Sequence, residues 1–232
     1  MYDARAVVVC GATGGLGPVV VQAFASSGET VIGVSHNEAD LDELNGIPSV
    51  VGEVADLTKP EEVEGLWNRI DDRGMNVRSL VNLTGGWRGG DLISTTPEDY
   101  RFVVDLNLTT TWLSCRSGAP RLVASGGGAI VNVASKSALV GGAGEAAYSV
   151  AKAAVIRLTQ VLAEELKDTG VRVNAIVPAV IDTPQNRESL REKLISKAAA
   201  PEDIAQVVSY LCNDDSALIN GAAIPVFGRL LG

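Results

Sequence analysis

The run Val7-Val8-Val9-Cys10-Gly11-Ala12-Thr13-Gly14-Gly15-Leu16-Gly17-Pro18 decides how this chain folds. Residues 6–10 are apolar and Val-rich, as in a short strand buried on both faces. A glycine-rich turn follows at once. Residues 18–26 then read as a helix, with Pro18 in its first turn, where no N–H is needed. Strand, glycine turn and helix in that order form a phosphate-binding arrangement. Gly11, Gly15 and Gly17 let the backbone approach a pyrophosphate, and the helix N-terminus offers free N–H groups and a partial positive charge. A purely structural turn is the competing reading of this stretch alone.

Outward from this turn, strands and helices alternate. Strands are expected at residues 30–34, 49–51, 78–83, 129–134, 171–177 and 222–227, and helices at 59–72, 97–122, from Tyr148 to about 169, and 201–212. This alternation predicts a single-domain α/β Rossmann fold: a doubly wound parallel sheet of about seven strands, flanked by helices. Right-handed crossovers place the ligand crevice at the carboxyl ends of the strands. Asp56-Leu57, residues 82–86 and Ser135 all fall at such ends. No repeat, linker or composition break divides residues 1–232. The cofactor half is expected at about 1–90 and the catalytic and substrate half at about 91–232.

Composition narrows the partners. The 232 residues are 46% apolar, ample for a core, and carry a formal net charge of −9. That sign argues against nucleic acid or an anionic membrane as partner. Three scattered cysteines are too few for a disulfide framework or a metal cluster and fit a reducing compartment. The opening Met1-Tyr2-Asp3-Ala4-Arg5 lacks the long apolar stretch of a signal peptide. A soluble cytoplasmic protein with no metal is the expectation.

The end of the second strand bears on the cofactor. An acid there would bind the ribose 2′-hydroxyl of NAD and repel a 2′-phosphate. The chain reads Ser35-His36-Asn37 instead. His36 stands where a 2′-phosphate needs a donor, which leans toward NADP(H) over NAD(H); the alternative is an exposed loop histidine without a role.

Chemistry concentrates in Tyr148-Ser149-Val150-Ala151-Lys152. Residues i and i+4 share one helical face, so a phenol and an amine reach the same point. A cation beside a phenol favours the phenolate and pulls its pKa down, which makes the pair a candidate general acid/base. Asn107 sits within a long predicted helix, where its amide competes for backbone bonds. Trp87, in the loop after residue 86, suits stacking on a planar substrate or covering the edge of the core. Residues 185–199 are polar and charged; beside a cleft they would form a lid.

Together these stretches resemble the short-chain dehydrogenase/reductase family along essentially the whole chain. Gly11-x-x-x-Gly15-x-Gly17 is similar to its cofactor turn. Asn82-Leu83-Thr84-Gly85 is similar to its Asn-Asn-Ala-Gly motif with two positions changed. Asn107, Ser135, Tyr148 and Lys152 match its catalytic set in order and spacing. Pro178-Ala179-x-Ile181-x-Thr183 is similar to its Pro-Gly-x-Ile-x-Thr motif, with Ala for Gly. The resemblance implies cofactor contacts at Gly11, Thr13, Gly15, Leu16, Gly17, Ser35, His36, Asn37, Asp56, Leu57, Asn82, Thr84, Gly85, Tyr148, Lys152, Pro178, Ile181 and Thr183. Asp56 would contact adenine, and Ile181 and Thr183 the nicotinamide carboxamide. Lys152 would bind the nicotinamide ribose and depress the pKa of Tyr148. Tyr148 would exchange a proton with the substrate oxygen, Ser135 would hydrogen-bond that oxygen, and Asn107 would hold a water. Trp87, Ser135, Tyr148 and Gln185 are the substrate candidates. Family members are often tetramers, so a homo-oligomer, tetramer or dimer, is implied.

Residues 85–90 and 182–187 are also similar to stretches of dihydropteridine reductases. That branch keeps the Tyr and Lys without the Ser and carries an acid after the second strand, whereas this chain has Ser135 and lacks the acid. The expected reaction is hydride transfer between a nicotinamide cofactor and a small ketone or secondary alcohol. The alternatives are a pterin reductase and a cofactor-sensing protein without catalysis.

Overall fold

The Val-rich runs have no polar face, so they need cover on both sides, and the fold supplies it. The computed structural model describes residues 5–230; Met1 to Ala4 of the opening lie outside them. Seven strands run parallel: β1 (Arg5–Cys10), β2 (Thr30–Ser35), β3 (Val50–Val54), β4 (Asn76–Asn82), β5 (Gly128–Val133), β6 (Val171–Pro178) and β7 (Ala223–Val226). Their order is β3-β2-β1-β4-β5-β6-β7. The chain winds outward from β1 to β3, then crosses back to β4 beside β1. That reversal opens a crevice at the carboxyl ends of β1 and β4.

Side chains alternate across the sheet. Ala6, Val8 and Cys10 of β1 join one cluster with Trp67, Leu66 and Ile70 of α3 (Pro60–Asp72) and Leu113, Cys115 and Leu122 of α5 (Thr110–Ala124). Val7 and Val9 join the other cluster, with Val20, Val21 and Phe24 of α1 (Gly17–Ser26) and Ile204, Val208 and Leu211 of α9 (Pro201–Cys212). One buried charge interrupts the apolar pattern. Glu53 of β3, 5% exposed, is held by Arg69 at 2.8 Å and by Arg73.

Several expectations are corrected. The single helix expected at 97–122 is α4 (Pro97–Val104), a π turn (Asp105–Thr109) and α5. The cause is Asn107, whose side-chain amide donates to the Val103 carbonyl at 3.0 Å. It thereby claims an acceptor the helical ladder would use, and the turn widens. A short 3₁₀ turn (Glu38–Leu41) and α2 (Asp42–Asn45) follow β2, where no helix was expected. The helix of Tyr148, α6 (Ala146–Glu165), ends before 169. Residues 185–199 form not one helix but α7 (Pro184–Ser189) and α8 (Glu192–Ile195). Among the described residues no helix is long and apolar enough to cross a membrane.

Candidate active site

The glycine turn between β1 and α1 is closed to side chains. Gly11 has φ +80°, and a Cβ there would lie 2.8 Å from the Thr84 nitrogen. A Cβ on Gly17 would stand 2.3 Å from the Ala12 carbonyl, and one on Gly15 would stand 3.0 Å from Thr183 Cγ2. No side chain caps the N-terminus of α1 and no acid occupies its first turn. The Gly17 N–H donates to the Gly14 carbonyl at 2.9 Å and Pro18 has none, so the turn offers a ligand chiefly the positive end of the helix. Among the described residues, Thr84 Oγ1 is buried without a hydrogen-bond partner. Such a cradle fits a pyrophosphate, and the residues present fit a dinucleotide.

The end of β2 carries short polar links. Thr13 Oγ1 lies 3.1 Å from Ser35 Oγ, which also accepts from the Asn37 N–H at 3.2 Å. His36 is exposed beside them. Asn37 caps the 3₁₀ turn and bonds Asp40 at 3.2 Å. Asp56 accepts from the Thr58 hydroxyl at 2.6 Å; that bond leads in holding its carboxyl below the usual range. The side chains of Leu16 and Leu57 are buried in the two clusters, which leaves only their backbone to face a ligand.

Asn82 uses its side chain within the sheet. Its amide turns away from the crevice and donates to Asn132 Oδ1 at 2.8 Å, across the β4–β5 pair. The facing strand fixes its direction, so Asn82 ties the sheet together. Thr84 and Gly85 are left to face the crevice.

The four expected catalytic residues converge. Ser135 follows β5 and caps a one-turn 3₁₀ helix, its Oγ accepting from the Ser137 N–H at 3.3 Å. Tyr148 lies in the first turn of α6, near Ser135. Lys152 is one turn further on, 3% exposed, with Nζ donating to the Val133 carbonyl at 2.8 Å. Asn107 grips the Gly86 peptide from both sides: its amide donates to the carbonyl at 2.9 Å and its Oδ1 accepts from the N–H at 3.1 Å. A Cβ on Gly85 would stand 2.8 Å from Asn107 Oδ1 and 3.0 Å from Lys152 Nζ, so all three residues meet there.

The electrostatics reverse one expectation. Burial raises the Tyr148 phenol above its ordinary value; the Ser135 hydroxyl pulls it back, and the Glu145 carboxylate pushes it up again. The Lys152 ammonium donates to the Val133 carbonyl at 2.8 Å and stands 6.0 Å from the phenol ring centroid. Burial pushes the Lys152 ammonium itself down to about 8.

Two loops border this centre. The indole of Trp87 lies against Gly89, where a Cβ would be 2.7 Å from the ring, yet 66% of Trp87 is exposed. That loop is stitched to the segment before α6 by the Gly90 N–H donating to the Gly144 carbonyl at 2.8 Å. After Pro178, residues 182–198 leave and return through a bridge between Ile181 and Ala199. Thr183 begins α7 by accepting from the Asn186 N–H at 3.3 Å, and Gln185 of α7 is exposed. The Gly86 peptide and the Val133 carbonyl escaped the sequence reading. They act through backbone atoms, for which residue type carries no signal. A cavity of about 270 Å³ lined by Arg5, Arg78 and Arg172 lies at the opposite, amino ends of the strands.

The topology and its glycine cradle define a Rossmann-type NAD(P)-dependent oxidoreductase. Residues 11–228 match the profile of a family described as enoyl-(acyl carrier protein) reductase. The chain belongs to the short-chain dehydrogenase/reductase family, whose relatives here act on CH–OH and C=O groups. It is 34% identical to a (2S)-[(R)-hydroxy(phenyl)methyl]succinyl-CoA dehydrogenase subunit of Thauera aromatica, covering 97% of this chain and 95% of that one. It is 30% identical to meso-2,3-butanediol dehydrogenase of Serratia marcescens, covering 98% and 94%. Among solved structures, ElxO with NADP bound superposes with a TM-score of 0.91 at 25% identity, covering 97% and 98%.

Proposed function

We propose that Tyr148 is the general acid/base of an NAD(P)-dependent carbonyl reductase or alcohol dehydrogenase acting on a small ketone or secondary alcohol. The observation that carries this reading is the convergence of Ser135, Tyr148, Lys152 and Asn107 beside the glycine cradle. The nicotinamide would supply or accept the hydride. Raised by burial, the phenol holds its proton at neutral pH and is suited to giving it to a substrate oxygen. Ser135 hydrogen-bonds that oxygen and steadies the charge growing on it. The Lys152 ammonium lends positive charge to the same corner, and Asn107 fixes the Gly86 peptide that borders it.

Thr13, Ser35, His36 and Asn37 hold the adenosine end, and the lack of an acid at Ser35 favours NADP(H) over NAD(H). The carboxylates of Glu38 and Asp40, one turn away, keep that preference modest. Exposed Trp112 on α5 and Val150 and Val161 on α6 support a homo-oligomer, tetramer or dimer. Three free thiols, two of them buried, suit a reducing cytoplasm. A pterin reductase is the second reading, favoured by the open indole face of Trp87; Ser135 weighs against it.

The test is a hydride-transfer assay over a panel of ketones and quinonoid dihydropterin with each cofactor. Tyr148→Phe should lower turnover by about two orders of magnitude or more. Near-normal activity of that variant refutes the role. Tight cofactor binding without turnover of any substrate would mark a sensor instead.

A further inference from the structure

The segment 182–198 carries a groove that the catalytic centre does not use. It has a volume of about 480 Å³ and is lined by Leu190, Leu194 and Leu230 together with Arg191, Lys193 and Lys197. Among the described residues no carboxylate lines it. Four cations and two acids fall within residues 185–199, in a chain of net charge −9. Arg187 is neutralised by Asp182 at 2.6 Å. Among the described residues, no ion pair within 4.0 Å involves Arg191, Lys193 or Lys197.

The groove is joined to the centre at both ends. On one side the Leu230 carbonyl accepts from Lys136 Nζ at 2.9 Å, and Lys136 directly follows Ser135. On the other, the segment begins at Thr183, whose methyl covers Gly15 of the cofactor turn. The Arg229 N–H donates to the Lys197 carbonyl at 3.0 Å, tying the C-terminal stretch to the segment.

Apolar walls with unpaired cations complement one kind of ligand: an apolar body that ends in anionic groups. The geometry points to a carbonyl substrate whose tail carries phosphate or carboxylate groups, seated between residues 189–197 and Leu230, with Arg191, Lys193 and Lys197 as its specificity-determining residues. This rests on the oxidoreductase reading for the chemistry at the carbonyl, but the groove's affinity for the tail does not depend on turnover. A neutral ketone of similar size would leave the three cations without a partner.

Coenzyme A, a long pantetheine arm joined to an anionic phosphorylated adenosine, is the probe. Calorimetry with wild-type protein and NADP present should show binding that weakens as salt rises, because exposed charges are screened. The triple variant Arg191→Gln, Lys193→Gln, Lys197→Gln should bind about tenfold more weakly. In parallel, the ratio of kcat/KM for acetoacetyl-CoA to that for acetoacetyl-N-acetylcysteamine, a neutral thioester with the same reacting group, should fall in the variant. Wild-type binding that is absent, indifferent to salt or unchanged in a folded variant overturns the groove's role. Reduction of the neutral thioester without coenzyme A binding overturns the groove and leaves the enzyme reading standing. Coenzyme A binding that persists in Tyr148→Phe, with turnover lost, supports the groove and separates it from the chemistry.

Discussion

Replacing Gly17 by alanine sets two effects against each other. Alanine is favoured over glycine in a helix by at most about 1 kcal/mol. Against this, a Cβ at Gly17 would stand 2.3 Å from both the carbon and the oxygen of the Ala12 carbonyl and 2.5 Å from the Gly11 oxygen. These are backbone atoms, and no rotamer change relieves them. The turn has to move by a large fraction of an ångström, and overpacking of this kind costs about 1–3 kcal/mol, at the upper end where backbone must shift. The net effect is a loss of about 2 kcal/mol, which lowers Tm by roughly 4–8 °C for a chain of this size. The displaced peptides line the pyrophosphate cradle, so cofactor affinity should fall at least about tenfold, since sub-ångström misplacement undoes preorganised contacts. Thermal unfolding and a fluorescence titration with NADPH and NADH read the two effects. Gly65→Ala is the matched control. Its Cβ, inside α3, would meet only the Arg69 side chain at 3.6 Å, and it should raise Tm by roughly 2–4 °C. If Gly17→Ala melts and binds like wild type, the steric argument for the cradle is wrong.

The other expectations are narrower. Burial pushes Lys152 in the folded protein down to about 8 from its ordinary 10.5, so between those values the unfolded chain holds the extra proton at this site and the Lys152 contribution to stability rises with pH. Lys152→Met abolishes this slope: its stability relative to wild type should be flat below about pH 8 and then decline toward 10.5, as denaturant titrations at stepped pH would show. His36→Asp should shift the ratio of specificity constants from NADP toward NAD; an unchanged ratio would remove His36 from the cofactor site. Replacing both Arg69 and Arg73 by methionine strands the buried Glu53 carboxylate and should destabilise by about 3 kcal/mol, measured by urea unfolding.

The strands were legible because buried parallel strands are written as short apolar runs between glycine turns. The sheet's two faces follow from alternation along a run such as residues 6–10. Asn107, Ser135, Tyr148 and Lys152 were legible because each carries its chemistry in its side chain and the spacing sets which face it occupies. What could not be read depends on partners distant in sequence. Glu53 looks like an exposed strand residue until Arg69 and Arg73 arrive from α3. Asn82 looks like a crevice residue until Asn132 on the neighbouring strand claims its amide. The direction of the Tyr148 shift could not be read either, because it turns on how deeply the phenol is buried. The 3₁₀ turn after β2 is set by the Asn37 cap, a one-residue signal that also suits an ordinary loop.

The widened turn at Asp105–Thr109 makes this region sensitive to residue count. Beyond it, α5 shows Trp112, Arg116 and Pro120 to solvent and turns Leu113, Cys115 and Leu122 inward. Deleting one residue would let an unbroken ladder re-form and would swing everything downstream by about 100°. The outward stripe would then be driven toward the sheet. Asn107 apart, point substitutions along this stretch are thus better tolerated than a change of length, and any natural variation here should keep its spacing.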